Sequence, residues 1–231
     1  MGALNGRVIV VTGALGALGR AVAAAVESAG ARVARLDLAP ASGELVFGGL
    51  DLADEAATGE VVAQIAAQCG RIDGLVNIAG GFSWQTLADV SASAWEQMFR
   101  INLLTAVAAS RAALEHLSAG EGGAIVNIGA NAATRAAAGM GAYAASKAGV
   151  ARLTESLAEE MSPNVRVNAI LPSIIDTPAN RRDMPKADYS QWVSPDTIAK
   201  VVVFLLSDDA AAISGALIPV TNPGRAASAT V

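Results

Sequence analysis

Short apolar runs alternate along the chain with longer segments of helical periodicity. The short runs, rich in β-branched residues, predict buried strands at residues 7–13, 31–37, 72–80, 123–129, 164–171 and 215–220, with a weaker run at 43–51. Apolar residues at helical spacing predict helices over residues 17–30, 55–70, 93–117, 141–161 and 194–208. Strand and helix therefore alternate throughout.

This alternation predicts the fold class. The predicted strands are apolar on both faces, as expected where helices cover both sides of a parallel sheet. We therefore expect an α/β fold, with a single doubly wound, Rossmann-type parallel sheet, right-handed crossovers and helices on both faces. No break in composition marks a second domain, so residues 1–231 are predicted to form one domain. A long irregular segment at 174–194, rich in Pro, Asp, Arg and aromatic residues, is a candidate substrate lid.

Composition narrows the range of partners. The formal net charge is −5, and only 16% of residues are charged, so the chain lacks the positive surface that binds nucleic acid. A single cysteine, Cys69, excludes an internal disulfide and fits a reducing compartment. No run of 18 apolar residues and no signal-peptide pattern is present, which predicts no membrane span and a cytoplasmic location. His116 has no clustered ligands, so no metal site is expected.

A glycine-rich loop joins the first predicted strand to the first helix. Glycines at 13, 16 and 19 allow backbone to approach a pyrophosphate at a helix N-terminus. Asp37 ends the second strand about 20 residues further on, where a carboxylate binds the adenosine ribose hydroxyls. That carboxylate would repel a 2′-phosphate, which favours NAD(H) over NADP(H). Arg35, two residues away, keeps NADP(H) open.

Tyr143 and Lys147 form a candidate proton-transfer pair. They are four residues apart in "YAASK", so they lie on one face of the predicted helix. Hydride reduction of a carbonyl or imine requires a proton for the heteroatom, and a phenol can deliver it. Free tyrosine, with a pKa of about 10, is too weak an acid to exchange protons readily at neutral pH. A neighbouring ammonium favours the phenolate, so we expect Lys147 to lower the pKa of Tyr143.

Several motifs, in order, resemble the short-chain dehydrogenase/reductase family over nearly the whole chain. Residues 12–19 resemble its Thr-Gly-x-x-x-Gly-x-Gly motif, with Ala17 at the second glycine. The other matching segments are "DLAD" (51–54), "NIAG" (77–80), Asn102, "YAASK" (143–147) and "LPSIIDTP" (171–178), in which Ser173 replaces a glycine. The resemblance implies dimers or tetramers of identical subunits acting on a small-molecule substrate.

The resemblance also implies a set of site residues. The catalytic residues would be Tyr143, Lys147, which also binds the nicotinamide ribose, and Asn102, which holds a water that relays protons. The cofactor would contact Gly13, Gly16, Ala17, Leu18, Gly19, Asp37, Asp51, Leu52, Asn77, Ala79, Gly80, Lys147, Pro172, Ile175 and Thr177. Asp51 and Leu52 would touch the adenine.

One catalytic group of this family is missing. Its serine, which hydrogen-bonds the substrate carbonyl, lies thirteen residues before the tyrosine, where this chain has Ala130. Nearby polar residues that could substitute are Asn131, Thr134 and Ser83. Further candidates for substrate contact are Trp84, which follows the "NIAGG" strand end, and Tyr189 and Trp192 in the candidate lid.

The sequence therefore predicts an NAD(P)(H)-dependent short-chain oxidoreductase. It would transfer hydride between nicotinamide and a small carbonyl/alcohol or imine-type substrate, with Tyr143 as acid/base. The segment from 171 to 192 and "SGALIPV" also resemble dihydropteridine reductases, which lack the serine and use NADH. One alternative is therefore an enzyme that reduces quinonoid dihydropterin. Another is a catalytically impaired, redox-responsive module that only binds the dinucleotide.

Overall fold

A mostly parallel sheet lies at the centre of the computed structural model, which describes residues 2–120 and 122–223. Its strands are β1 (Val8–Thr12), β2 (Arg32–Leu36), β3 (Ser42–Gly43), β4 (Val46–Phe47), β5 (Gly74–Asn77), β6 (Gly123–Ile128), β7 (Val165–Pro172) and β8 (Leu217–Val220). Their order across the sheet is β3-β4-β2-β1-β5-β6-β7-β8, and every pairing except β3–β4 is parallel. The predicted 1–231 unit includes residues 1, 121 and 224–231, which lie outside the described part.

Helices cover both faces of this sheet. They are α1 (Ala17–Ser28), α2 (Glu55–Cys69), α3 (Ala92–Phe99), α4 (Thr105–Ala119), α5 (Gly141–Met161), α6 (Pro178–Asp183) and α7 (Pro195–Leu206). Apolar residues of α1 and α7 pack on one face, against side chains such as Val11 and Val126. Those of α2, α4 and α5 pack on the other, against side chains such as Val10 and Ile125. The predicted doubly wound α/β fold is confirmed.

One local prediction was wrong, and one confirmed helix contains an irregular turn that was not predicted. The weak strand expected at 43–51 is instead a pair of two-residue strands, β3 and β4, which run antiparallel around Leu45 at a φ of 55°. The helix expected at 93–117 is divided by a π-helical turn at Arg100–Leu104, which joins α3 to α4. Both features follow from tertiary contacts rather than from the apolar pattern.

The carboxyl ends of the parallel strands meet at one edge of the sheet. Thr12 ends β1 there, and its hydroxyl accepts hydrogen bonds from Ile78 N and Ala79 N, at 3.0 and 3.2 Å. This contact holds the loop after β5 against the glycine-rich loop. Among the described residues, no helix is both long and apolar enough to cross a membrane.

Candidate active site

A cleft of about 1150 Å³ opens at this carboxyl edge. Of the cofactor-contacting residues predicted from the sequence, those that line it are Gly13, Gly16, Ala17, Leu18, Gly19, Asp37, Asp51, Leu52, Ala79, Gly80 and Thr177. Arg20 and Arg182, the latter a candidate lid residue, were not predicted to contact the cofactor and also line the cleft. Arg20 belongs to the first turns of α1 and Arg182 to α6, and neither position carried a motif.

The glycine loop is tight because two of its glycines have no room for a side chain. Gly13 has a φ of +62°, and a Cβ there would lie 2.9 Å from the backbone of Ala79. A Cβ on Gly19 would overlap the backbone of Gly13 and lie 2.7 Å from the Cα of Ala14. At Gly16, by contrast, the nearest atom to a Cβ is 3.4 Å away. Close backbone approach is thus required at 13 and 19, and Ala17 simply begins α1.

The N-terminus of α1 offers the donors that an anionic diphosphate needs. Its N-cap, Gly16, supplies no side-chain hydrogen bond, and the first turn contains no acidic residue. The first N–H groups of a helix carry partial positive charge and lack intrahelical partners. Together with the glycine cradle, this chemistry fits a dinucleotide pyrophosphate.

Asp37 is held at the end of β2 by backbone donors. One carboxylate oxygen accepts from Leu15 N at 2.8 Å and the other from Ala39 N at 2.9 Å. Arg35, which kept NADP(H) open, forms an ion pair with Glu27 at 2.7 Å. The carboxylate is therefore fixed at the cleft, and Arg35, although paired with Glu27, lines the same cleft.

Asp51 connects the cleft to the helix that carries Asn102. Its carboxylate accepts from Ala53 N at 3.0 Å and forms an ion pair with Arg100 at 2.5 Å. The hydrogen bond from Ala53, together with Arg100, lowers the pKa of Asp51. Asp51 therefore remains ionised at neutral pH.

Four predicted cofactor contacts do not line the cleft. Asn77 is buried, and its amide nitrogen donates to Ser110 Oγ at 3.0 Å and to Asn127 Oδ1 at 2.8 Å. Pro172 is buried at the end of β7, and Ile175 packs on the core. Lys147 is also absent from the cleft lining. The strand that carries Asn77 turns its side chain toward α4, away from the glycine loop.

Lys147 and Tyr143 project from one face of α5. Lys147 is only 5% exposed, and its ammonium donates to Ile128 O at 2.7 Å. A Cβ on Gly80 would lie 3.5 Å from Lys147 Nζ, which places the ammonium beside the cleft. The Tyr143 ring packs edge-on against Phe82, with ring centroids 4.9 Å apart.

Burial dominates the titration of both groups. It lowers the pKa of Lys147 from 10.5 to about 8 and raises the pKa of Tyr143 from 10.0 to about 12. In the protein alone, burial therefore outweighs the lowering of the Tyr143 pKa that was expected from Lys147. Without further positive charge nearby, the phenol stays protonated at neutral pH.

Asn102 occupies the π-helical turn and is 1% exposed. Its side-chain oxygen accepts from Gly81 N at 3.0 Å, and its amide nitrogen donates to Gly81 O and to Ser146 Oγ, both at 3.1 Å. Ser146 lies on α5 between Tyr143 and Lys147. The Asn102 amide thus joins the loop after β5 to the helix that carries the pair.

Aromatic residues surround the approach to Tyr143. Trp84 is 58% exposed, and its indole nitrogen donates to Ala138 O at 3.0 Å. The Trp84 ring fills the space that a Cβ on Gly139 would need. Trp84 therefore links the loop after β5 to the loop before α5 by a hydrogen bond and by packing. Phe82, which contacts Tyr143, is also largely exposed and was missed in the sequence analysis.

The residues proposed to replace the missing serine differ in whether their side chains are free to hydrogen-bond a substrate. Ala130 is buried at the end of β6, and Asn131 is exposed at the start of the following turn. The Thr134 hydroxyl donates to Asn131 O at 2.7 Å. Thr134 is therefore already engaged, whereas the Asn131 side chain faces solvent.

The two ends of the segment at 174–194 are hydrogen-bonded to each other. Ile175 and Val193 form a parallel bridge, in which Val193 N donates to Ile174 O at 2.9 Å. Within the segment, Arg181 lies 4.6 Å from the centre of the Tyr189 ring, which also contacts Trp192. Trp192 is buried, and neither it nor Tyr189 lines the cleft.

The parallel sheet, the glycine cradle and the acidic residue after β2 define a dinucleotide-binding α/β protein. The short chain dehydrogenase family profile matches residues 7–188. The chain therefore belongs to the short-chain dehydrogenase/reductase family and is an NAD(P)-dependent oxidoreductase of that type.

Three similar proteins illustrate the relationship. D-threitol dehydrogenase of Mycolicibacterium smegmatis is 36% identical over 235 aligned positions, covering 92% of this chain and 90% of that protein. An uncharacterized NAD-dependent oxidoreductase of Mycobacterium tuberculosis is 32% identical, covering 95% and 96%. Carveol dehydrogenase of Mycobacterium avium, solved in complex with NAD, has a TM-score of 0.86 at 26% identity, covering 96% and 99%. These similarities support NAD(H) as the cofactor.

Proposed function

We propose that this enzyme interconverts a small secondary alcohol and its ketone with NAD(H), with Tyr143 as the acid/base. The observation that carries the proposal is the buried Lys147 ammonium beside Gly80 of the dinucleotide cleft, on the same helix face as the partly buried Tyr143. Relatives named for D-threitol and carveol support an alcohol/ketone substrate. Bound nicotinamide would supply or accept the hydride.

Tyr143 supplies the proton in the direction of reduction. Because its pKa is about 12, the phenol is protonated at neutral pH and can protonate the substrate oxygen as negative charge develops there. In the direction of oxidation the same group must accept a proton. A phenolate is then favoured only by positive charge close to it, which Lys147 provides while protonated, below a pH of about 8.

Asn102 and Lys147 position the site. The Asn102 amide fixes Gly81 and Ser146, so it holds the loop after β5 in register with α5. Lys147 is anchored to Ile128 O, and its remaining N–H groups are available to a ribose hydroxyl. A water held near Asn102 would connect Lys147 to solvent and return the proton to Tyr143.

The cofactor site is proposed to prefer NAD(H) over NADP(H). The glycine loop would hold the pyrophosphate, Asp37 the adenosine ribose, and Asp51 with Leu52 the adenine. Asp37 would repel a 2′-phosphate, and Glu27 offsets part of the positive charge that Arg35 brings to the cleft.

The segment at 174–194 is proposed to act as a lid over the substrate, within one domain that spans the chain. The Ile175–Val193 bridge fixes its two ends, while Thr177 and Arg182 face the cleft. Tyr189 and Trp192 would then support the lid from within rather than contact the substrate directly. Trp84 and Asn131 remain the candidates for direct contact.

A second candidate is reduction of a quinonoid dihydropterin by NADH. Ala130 supplies no hydroxyl at the carbonyl, which suits a substrate that accepts hydride readily. The resemblance of residues 171–192 to dihydropteridine reductases supports the same substrate. A third candidate, a module that binds dinucleotide without turnover, is disfavoured by the retention of Tyr143, Lys147 and Asn102.

One experiment separates these functions. The probe panel is D-threitol, carveol and cyclopentanol with NAD, and cyclopentanone and quinonoid dihydropterin with NADH. Each reaction is repeated with NADP(H) and with Tyr143→Phe. We expect alcohol or ketone turnover that Tyr143→Phe abolishes while NADH affinity is unchanged.

Other outcomes have distinct meanings. Pterin turnover alone would favour the second candidate. Tight NADH binding without turnover of any probe would favour the binding module. Assembly into homodimers or homotetramers, proposed from the family and the alanine-rich α5, is tested separately by light scattering of the purified protein.

A further inference from the structure

Two large aromatic side chains near the proposed acid/base are exposed to solvent. Phe82 is 54% exposed and Trp84 is 58% exposed, and both lie in the loop after β5. The Phe82 ring contacts the Tyr143 ring edge-on, with the ring centroids 4.9 Å apart and the ring planes at 80°. Single exposed apolar residues are common, but an exposed aromatic pair at a functional group is typical of a surface that a ligand covers.

Trp84 is held in place by the loop before α5. Its indole N–H donates to Ala138 O at 3.0 Å, and Gln85 N donates to Gly139 O at 2.9 Å. Gly139 has a φ of +75°, and the Trp84 ring occupies the space where a Cβ on Gly139 would lie. Because the indole has one polar hydrogen and that hydrogen is already bonded, Trp84 presents only apolar ring surface to a ligand.

The chain that leads to Tyr143 is also apolar. Residues 136–142 read Ala-Ala-Ala-Gly-Met-Gly-Ala and carry no polar side chain. Further back, Asn131 is exposed and the Thr134 hydroxyl is bonded to Asn131 O at 2.7 Å. At the end of β6, Ala130 has only a methyl group. This segment therefore adds alanine and glycine surface to the two aromatic rings.

The polar side chains packed around the start of α5 are already bonded. The Asn102 amide oxygen accepts from Gly81 N, and its amide nitrogen donates to Gly81 O and Ser146 Oγ. Ser146 Oγ donates in turn to Tyr143 O at 2.7 Å. Burial raises the pKa of Tyr143 to about 12, as expected for a phenol in mainly apolar surroundings. A substrate at this position therefore has the Tyr143 hydroxyl as its hydrogen-bond partner and apolar groups around it.

We propose that the substrate is a cyclic, mainly apolar secondary alcohol or its ketone, whose ring lies against Phe82 and Trp84. This inference rests on the proposed function, and it argues against an open-chain polyol. The ring of the substrate covers the exposed aromatic surface while its oxygen reaches the Tyr143 hydroxyl. A polyol would lose the water bonded to its other hydroxyl groups without gaining enough partners. A ring also has few internal rotations to lose on binding.

The first test compares the two chemical classes with NAD as the oxidant. The probes are cyclopentanol and cyclohexanol, the polyol D-threitol, and 2-propanol, a secondary alcohol without a ring. We expect kcat/KM for cyclohexanol to exceed that for D-threitol by at least about 100-fold, because the further hydroxyl groups of D-threitol lack partners. KM should fall from 2-propanol to cyclopentanol to cyclohexanol, because a larger ring covers more aromatic surface.

Phe82→Ala tests the contact between the substrate ring and the protein. It should raise KM for cyclohexanol by about 10-fold and change KM for 2-propanol by less than about twofold, while the Kd for NADH is unchanged. If Phe82 only held the Tyr143 ring in place, the variant would instead lower kcat equally for both alcohols.

Two further variants complete the design. Phe82→Leu restores apolar volume at this position and should recover most of the affinity for cyclohexanol. Phe204→Ala is the matched control, because Phe204 is 41% exposed on α7, which packs on the sheet face opposite α5. It should leave the kinetic constants for cyclohexanol and 2-propanol within about twofold of their original values.

Three results would overturn the assignment. If D-threitol is preferred over cyclohexanol and Tyr143→Phe abolishes its turnover, the substrate class is wrong while the proposed alcohol oxidoreductase stands. If Phe82→Ala affects 2-propanol and cyclohexanol equally, Phe82 positions Tyr143 and does not contact the substrate. If the unsubstituted enzyme turns over no alcohol or ketone, the proposed function fails and this inference fails with it.

Discussion

Replacing Lys147 with methionine is expected to stabilise the free protein at neutral pH and to abolish turnover. Methionine keeps the length of the side chain but removes the buried ammonium. Burial lowers the pKa of Lys147 from 10.5 to about 8. While the group is charged, this desolvation lowers the free energy of unfolding by about 3 kcal/mol. Loss of the hydrogen bond to Ile128 O offsets about 1–2 kcal/mol of that gain.

The pH dependence has a definite sign. An unfolded lysine keeps its proton up to a pH of about 10.5, whereas the folded protein releases the Lys147 proton above about 8. Between these values the unfolded state binds more protons, so the stability of the unsubstituted protein rises with pH. Lys147→Met lacks this rise. Its advantage should therefore be largest below pH 8 and shrink by about 2 kcal/mol by pH 9.5.

Urea unfolding of both proteins at pH 7.0 and 9.5, without cofactor, measures this difference directly. Lys200→Met, at an exposed position of α7, is the matched control and should change stability little at either pH. A difference between Lys147→Met and the unsubstituted protein that does not change with pH would refute the reasoning. Such a result would mean that the ammonium is not desolvated in the folded protein.

Three further predictions concern the cleft. Asp37→Ala should weaken NADH binding more than NADPH binding, measured by fluorescence titration; equal losses would contradict the ribose assignment. Arg182→Ala should weaken ADP-ribose binding several-fold and leave adenosine binding unchanged, whereas Arg181→Ala, whose guanidinium is paired with Asp176, should alter neither by calorimetry. Asn77→Ala should lower the free energy of unfolding by about 1–3 kcal/mol without changing NADH affinity, and a selective loss of affinity would restore its predicted role.

The sheet and its covering helices could be predicted because buried parallel strands are continuous apolar runs. The run that became β1, for example, is buried along its whole length. The β3–β4 hairpin could not, because strands of two residues carry too few positions for a pattern. The π-helical turn was missed for another reason. The turn presents Asn102 to Gly81, a hydrogen-bond partner that is distant in sequence.

Positions in the cleft were predictable where spacing along the chain determines them. Gly13 and Gly19 flank one turn, and Asp37 ends the next strand. Asn77 was assigned to the cofactor because it begins "NIAG", yet its side chain is buried against Ser110 and Asn127, outside the cleft lining. Spacing alone could not show that its side chain belongs to the network with Ser110 and Asn127.

The state of Ser173 could not be predicted, because a buried hydroxyl without a partner results from tertiary packing. The carboxyl edge of the sheet, where Ser173 follows β7, also holds the desolvated ammonium of Lys147 and a phenol with a raised pKa. The unpartnered hydroxyl and the buried ammonium oppose folding stability at neutral pH, and most other buried polar side chains described are hydrogen-bonded. Their concentration at one edge is what a site organised for chemistry, rather than for stability, would show.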